Sequence, residues 1–597
     1  VNASPAPRVR QMYTAAQSGQ TVLSTYMEKM VVNNSRKYAN SAPGMDPWYD
    51  TAMYVTTSSK SWSFPFTITG LANSSSTIDL ELVVWGMSSM PQDPDHHLLV
   101  FVNGVMVADS RFDGLGEQTL NIRLPAGTVQ EGANSLKITL PADTGTQADN
   151  VYLDKFSLVY PRLFRAQSGR LAYKAVGSSF SVTNLPSASV VVYRTSENGM
   201  VRLESVGVQD ADSTFTAEFT GSGQLDAYWV TTVDAMFTPV LEAIRPTANL
   251  NRSADYLIIS HPNFISGLQP FVAARQAHGM TVSVVDVKDL YTQYSYGIFD
   301  PQAIKEYIAY AARNLGTQYV LLVGGDTYDY RNYLGRNSIS FIPSLYTKTG
   351  SSIKFVPSDP LYADLNADNV PDLAIGRFPV RTSAELGMMV NKTLIYATKT
   401  YGQTAVFVSD LNDGKANYKT YSEAFSASLP VGWSVENINL DDVGVTTARS
   451  AILAAMNRGT SLITYTGHSG PASWSTTSVF TTTNAATLTN AGKPFVVVQW
   501  GCWNTYSVDP INTFLVQTFL LWGDRGAAAV MGATTLVEAE SERRLGLLLT
   551  PRLAVSGMRI GDAVKEAKLE LAKSDPELLD VLLGWSLMGD PALVVQP

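Results

Sequence analysis

At 597 residues, with 45% hydrophobic and 16% charged side chains, the chain has the length of about four domains and a composition too apolar for disorder. A formal net charge of −9 without a clustered basic stripe argues against a nucleic-acid footprint. The single cysteine excludes an intrachain disulfide and a thiolate metal cluster, and no apolar run reaches the roughly 18 residues of a membrane span.

Val1 opens a polar segment without the charged and apolar regions of a signal peptide, and so reads as a processed terminus. From about 45 to 240 the pattern is all-β. Ile78-Asp79-Leu80-Glu81-Leu82-Val83-Val84-Trp85 has the two-residue period of a half-buried strand. Leu98 to Val107 is a hairpin turning at Asn103-Gly104, where both residues need positive φ. Ser135 to Leu140 and Val151 to Tyr160 are further strands, and Pro161-Arg162 marks a boundary. The expectation is a jelly-roll-like sandwich over 1–160, then a small β domain and linker over 161–251. The linker Glu242 to Ala254 carries Pro246, Asn249 and Asn251 in polar surroundings.

Beyond it the grammar becomes strand–helix alternation. Tyr256 to Ser260 is a strand, Phe271 to His278 a helix stopped by Gly279, and Thr281 to Val287 the next strand. Asp300 as N-cap with Pro301 at the first helical position starts another helix, and Tyr319 to Val323 is a strand ending in Gly324-Gly325-Asp326. This predicts an α/β domain over 252–597, with subdomains of about 252–400 and 401–597 and a mostly parallel sheet covered on both faces. Ligand sites in such sheets lie beyond the carboxyl ends of the strands.

Two strand ends carry chemistry. Ser461 to Thr466 runs into Gly467-His468-Ser469-Gly470, and Phe495 to Trp500 runs into Gly501-Cys502-Trp503-Asn504. Successive parallel strands are usually neighbours about 5 Å apart, so the lone cysteine and a glycine-flanked histidine can meet across one cleft. An imidazole beside a thiol lowers the thiol pKa and supplies the proton for a leaving amine. The flanking glycines admit a substrate backbone and leave the N–H groups of Gly467 and Cys502 for an oxyanion. His96, His97, His261 and His278 lack this framing and read as ordinary loop or structural histidines.

Residues from about 252 to 597 resemble the gingipain family of cysteine peptidases, relatives of the caspases with a His-then-Cys order. Thr466-Gly467-His468-Ser469-Gly470 matches the family's histidine motif, and Val498 to Asn504 resembles its cysteine strand, with Trp503 where smaller residues are common. Ser358 to Asp364, Gly376-Arg377-Phe378-Pro379 and Met588 to Leu593 fit as well. The resemblance implies a caspase-like fold and an acidic residue, at the end of an upstream strand, that orients the histidine. Asp410, after Ala405 to Ser409, stands at that place; Asp413 is the close competitor, and an Asp capping a turn with Asn412 and Gly414 the plain alternative.

The resemblance also lines a P1 pocket with Thr466, Trp500 and the loop containing Glu540 and Glu542, whose carboxylates would select Arg or Lys; glutamates opening a helix are the plain alternative. It implies structural calcium, with Asp364, Asn366, Asp368 and Asp372 offering oxygens at alternating positions, against a solvated Asx-rich turn. No cofactor is expected for catalysis.

The leading expectation is thus a secreted or cell-surface cysteine endopeptidase acting on proteins or peptides, its β region a prodomain released after Arg252 or a permanent binding module that contacts glycans. The alternatives are a sorting transpeptidase of a secretion system and an adhesin with an inactive peptidase domain.

Overall fold

The change of sequence grammar after the linker of residues 242–254 goes with a change of architecture. The computed structural model describes residues 9–14, 22–42, 46–73, 77–240, 243, 245–350, 352–398 and 401–595. The chain divides into one unit of Val1–Ala39 with Pro43–Glu242 and another of Asn40–Ala42 with Ala243–Pro597.

In the first unit, strands Gly116–Leu124, Ile78–Gly86, Asp149–Leu163 and Thr25–Val32 form one antiparallel sheet, and Thr51–Val55 pairs with the first half of Asp149–Leu163. Lys60–Ile68, Gly132–Leu140, His96–Val102 and Val105–Phe112 form a second. The alternation of Ile78–Gly86 puts Leu80, Leu82 and Val84 inside with Leu98, Val100, Leu136 and Ile138 of the other sheet, which makes a sandwich. Each such side chain is worth about 1.5–3 kcal/mol of burial. The Asn103-Gly104 turn has φ of 47° and 86°, as the hairpin required. Strands between Arg170 and Thr232 build two smaller sheets around Tyr173, Phe180 and Tyr228. His96 and His97 are structural here, bonded at 2.6 Å to Asp149 and Asp143 respectively.

The second unit has two mainly parallel sheets, whose elements are numbered here within the unit. The first contains β1 (Tyr256–Ser260), β2 (Val282–Asp286), β3 (Tyr319–Val323) and β4 (Ala374–Phe378) in the order β2-β1-β3-β4. The second contains β5 (Thr404–Ser409), β6 (Ser434–Asn439), β7 (Leu462–Thr466), β8 (Phe495–Trp500), β9 (Ala527–Ala533) and β10 (Trp585–Met588), in the order β6-β5-β7-β8-β9-β10. Only the β9–β10 pair is antiparallel. The unit's helices include α1 (Gln269–Ala277), α2 (Pro301–Asn314), α3 (Ser383–Thr398), α4 (Tyr418–Ala427), α5 (Leu440–Arg458), α6 (Leu515–Leu521), α7 (Ala539–Leu553) and α8 (Ile560–Ser574). The Asp300 side chain caps α2 by accepting from Gln302 N, and Pro301 occupies its first turn.

Of the linker, residues 242 and 244 lie outside the described residues, while Arg245 pairs with Asp286 and Asp289 and Arg252 is exposed. The calcium expectation meets a different use of its residues. Asp364 accepts from the Asp368 and Asn369 N–H groups, Asn366 and Asp368 from Asp368 and Val370, and Asp372 from Leu365. Among the described residues no group of three or more His, Cys, Asp or Glu side chains is placed to hold a metal. The carboxylate and amide oxygens of the loop accept from the loop's own N–H groups.

Arg377 and Asp359, from two of the quoted motifs, form a buried pair with Nε–Oδ2 and Nη2–Oδ1 distances of 2.7 Å. The remaining N–H groups donate to the carbonyls of Gly324, Ile342 and Pro343, which satisfies the guanidinium. Removing one partner strands a buried charge. Asp359→Ala should therefore destabilise the second unit by about 3–5 kcal/mol, measured as a lower guanidinium midpoint against the exposed control Glu306→Ala; equal midpoints would refute the role.

Candidate active site

The strand register places the site. Ser409 pairs with Thr466 and Thr466 with Trp500, so Asp410, Gly467 and Gly501 leave three neighbouring strands at one level. Asp410 N donates to Thr466 O and Gly467 N to Trp500 O, both at 2.9 Å. The backbones are close enough that a Cβ on Gly467 would collide with Asp410 Cβ, and one on Gly501 with Gly467 O and Ser469 Oγ. Gly467 also has φ +155°, which an L side chain rarely adopts. Ser469 Oγ donates to Cys502 O at 2.8 Å, tying the histidine loop to the cysteine loop.

The acidic partner of the imidazole differs from the expectation. His468 Nε2 lies 2.8 Å from Asp413 Oδ2, whereas Asp410 takes the backbone N–H of His468 at 3.1 Å. Asp410 is buried, is at most 2% exposed, and also accepts from Leu411 N, with Tyr465 Oη, which donates to His468 O at 2.6 Å, lying 3.2 Å from it. The reason is the exit level: the side chain of the first residue after β5 meets the backbone of the neighbouring loop, and three residues more are needed to reach the ring. Asp413 Oδ1 accepts from Ala416 N and Lys415 N, both at 2.8 Å. The Ala416 and Lys415 N–H bonds, and then the His468 bond, hold this carboxyl well below the usual carboxylate range. As Asp413 is ionised it can only accept, so the shared proton sits on Nε2, and in the neutral imidazole Nδ1 then carries the lone pair.

The thiol lies in another environment. Cys502 Sγ is 3.7 Å from Val537 O, a weak donor contact to the segment that leads into α7. Burial, with the charges of Glu542, Glu538 and Asp580 adding to it, pushes the thiol up to about 11, although the Val537 contact acts the other way. The lowered thiol pKa expected from a neighbouring imidazole is thus reversed in this arrangement. Trp503 holds φ +62° and donates its N–H to Thr535 O, turning the chain sharply after the cysteine.

Several expected residues have other duties. Gly467 N–H is engaged in the strand ladder with Trp500 O and so is not open to an oxyanion. Trp500 is a core residue, 1% exposed and stacked on Trp585 at 5.2 Å, because β8 is central in its sheet and buried on both faces. Thr466 is buried for the same reason. Glu540 points outward into ion pairs with Arg543 and Arg544; the Arg543 hydrogen bond leads in lowering its carboxyl to about 2. Glu542 is buried, faces the Gly501 N–H, and is pushed well above the carboxylate range by desolvation. Tyr418, Tyr465 and Asp580 were not anticipated; the one signal was Tyr418 directly after the N-cap Asn417, five residues past Asp413.

Residues 249–596 match the family model described as peptidase family C25. Gingipain R1 of Porphyromonas gingivalis is 23% identical over 386 residues, which cover 60% of this chain and 35% of that protein. Gingipain R2 of the same species is 24% identical over 382 residues, 60% of this chain and 48% of that one. The chain therefore spans less than half the length of these curated relatives. The crystal structure of dimeric latent PorU from P. gingivalis aligns over 99% of this chain and 54% of its own, at 15% identity and a TM-score of 0.55, a likeness of fold. No helix among the described residues is long and apolar enough to cross a membrane.

The thiol environment has a direct consequence. Only the thiolate alkylates, and Cys502 is the sole cysteine, so iodoacetamide labelling of resting protein should keep rising with pH towards about 11. A plateau below pH 8 would contradict this.

Proposed function

The chain belongs to peptidase family C25, and on that premise we propose that it cleaves peptide bonds with Cys502 as nucleophile, His468 as base and Asp413 as the carboxylate that orients the imidazole. The observation that carries the reading is the 2.8 Å Asp413–His468 Nε2 bond, which leaves Nδ1 as a base at the level where β7 and β8 deliver the two loops. With the resting thiol near pKa 11, a free thiolate at pH 7 costs on the order of 5 kcal/mol. Deprotonation therefore accompanies attack. The Cys502 side chain turns from Val537 O towards the substrate, and Nδ1 takes its proton as sulfur adds to the carbonyl. The Cys502 N–H is the donor left for the oxyanion, since Gly467 N–H is engaged. The imidazolium then protonates the leaving amine, and water releases the acyl group from sulfur.

A basic P1 residue is supported by the cluster of carboxyl groups around the thiol, Glu542, Glu538 and Asp580; burial keeps Glu542 and Asp580 reluctant to ionise, and a cationic side chain entering beside them would hold them ionised. The gingipain relatives support export.

Digestion of a peptide library, with cleavage sites mapped, tests the reading. Cys502→Ala should abolish cleavage and Asp413→Asn should lower kcat by about 10²–10⁴, because the amide no longer fixes the ring tautomer. Asp410→Asn should act mainly through stability. Full activity of Cys502→Ala sinks the proposal, and a larger kcat loss for Asp410→Asn than for Asp413→Asn restores Asp410 as the orienting acid. An added amine that captures the acyl group in place of water indicates the transpeptidase alternative.

A further inference from the structure

Asp413 alone does not hold the imidazole. The His468 side chain is 46% exposed and has one carboxylate contact, at Nε2. A half-exposed ring held at a single atom can swing about that bond, and near-attack geometry tolerates little swing. A second element closes this freedom. Tyr418 opens α4, fixed by the Asn417 cap that accepts from Thr420 N at 3.0 Å. Its residue is 5% exposed, its ring stands at 70° to the imidazole with centroids 5.4 Å apart, and its hydroxyl lies 3.2 Å from His468 Nε2 and 3.5 Å from Asp413 Oδ2.

The protons decide the roles. Nε2 has one hydrogen and gives it to Asp413, whose ionised carboxylate accepts only. The tyrosine hydroxyl, kept protonated by burial and then by the charges of Asp413 and Asp410, is a donor that finds its acceptor in Asp413 Oδ2. Asp413 is thereby held at both oxygens, by Lys415 and Ala416 at Oδ1 and by His468 and Tyr418 at Oδ2. The ring of Tyr418 meanwhile packs against the imidazole as a side wall.

We propose that Tyr418 is a positioning residue that locks the Asp413 carboxylate and the His468 ring into one arrangement. Its kinetic consequence rests on the reading of His468 as the base for Cys502. The segment from Asp413 to Tyr418 then works as one device, a turn that presents the acid followed by a helix start that presents the brace.

The test compares wild type, Tyr418→Phe and Tyr418→Leu on one cleaved peptide, alongside the imidazole 15N spectrum of the five histidines. Tyr418→Phe keeps the wall and loses the donor, and kcat should fall about three- to tenfold with KM within about twofold. Tyr418→Leu loses both, with a fall of about 10²-fold. Wild-type kcat in Tyr418→Phe and Tyr418→Leu, or an effect confined to KM, overturns the proposal. The spectrum separates its failure from that of the peptidase reading. Whatever the activity, the Nε2–H tautomer signal of His468 should be sharp in wild type and averaged in Tyr418→Leu, and an unchanged signal refutes the brace. If Tyr418→Leu does not fold, Tyr418→Phe decides by the same kcat criterion.

Discussion

Three chain segments can stand at one level beyond the second sheet only because two of them lack side chains. The carbonyl of Gly467 occupies the space a Cβ on Gly501 would need, and Asp410 occupies the space a Cβ on Gly467 would need. This close stacking lets Asp410 bind the His468 backbone and Ser469 bind the Cys502 carbonyl. The histidine and cysteine loops are thus tied to each other, through Ser469 Oγ and the Gly467 N–H on Trp500 O, before the imidazole or the thiol takes part.

The two halves of the site differ electrostatically. On the histidine side the acid and the loop carbonyl are bonded: Asp413 at both oxygens, Tyr465 onto the His468 carbonyl, and Tyr465 in turn stacked on Trp474 at 4.6 Å. On the cysteine side the thiol is buried beside acidic groups, and the Glu542 carboxyl has an oxygen without a hydrogen-bond partner. A low-dielectric surrounding strengthens bonds that are made and penalises charges that are not. The first half is therefore preorganised, and the second keeps its nucleophile neutral until something changes around it.

Away from the site, the motifs that carried the family resemblance are charge pairs inside the core. Asp359 and Arg377 join segments around the first sheet, and Asp590 receives Tyr256 Oη at 2.6 Å while pairing with Arg275. Asp590 thereby links the loop after β10 to β1 and α1, and Gly376 lets β4 approach Gly589. Their chemistry is that of fixing packing, which explains why such polar residues sit among apolar strands.

Much of this was legible in the sequence. Alternation over Ile78 to Trp85, the Asn103-Gly104 turn, the Asp300-Pro301 helix start and the apolar run Phe495 to Trp500 each depend on local periodicity and backbone preference, which neighbours in the chain decide. The placing of His468 and Cys502 just past two successive strands followed from the same grammar. What local pattern could not decide was which side of a strand end a residue serves. Asp410 and Asp413 are near-equivalent in sequence, and only the crossing of the β5 and β7 exits gives one the backbone and the other the ring. Trp500 and Thr466 look like pocket walls until both faces of β7 and β8 are covered. Tyr418 has no meaning until α4 is docked beside His468. The sequence determined the elements and the chemistry available at their ends; the tertiary structure decided the partners, because hydrogen bonds and burial depend on distances between segments that no local pattern contains.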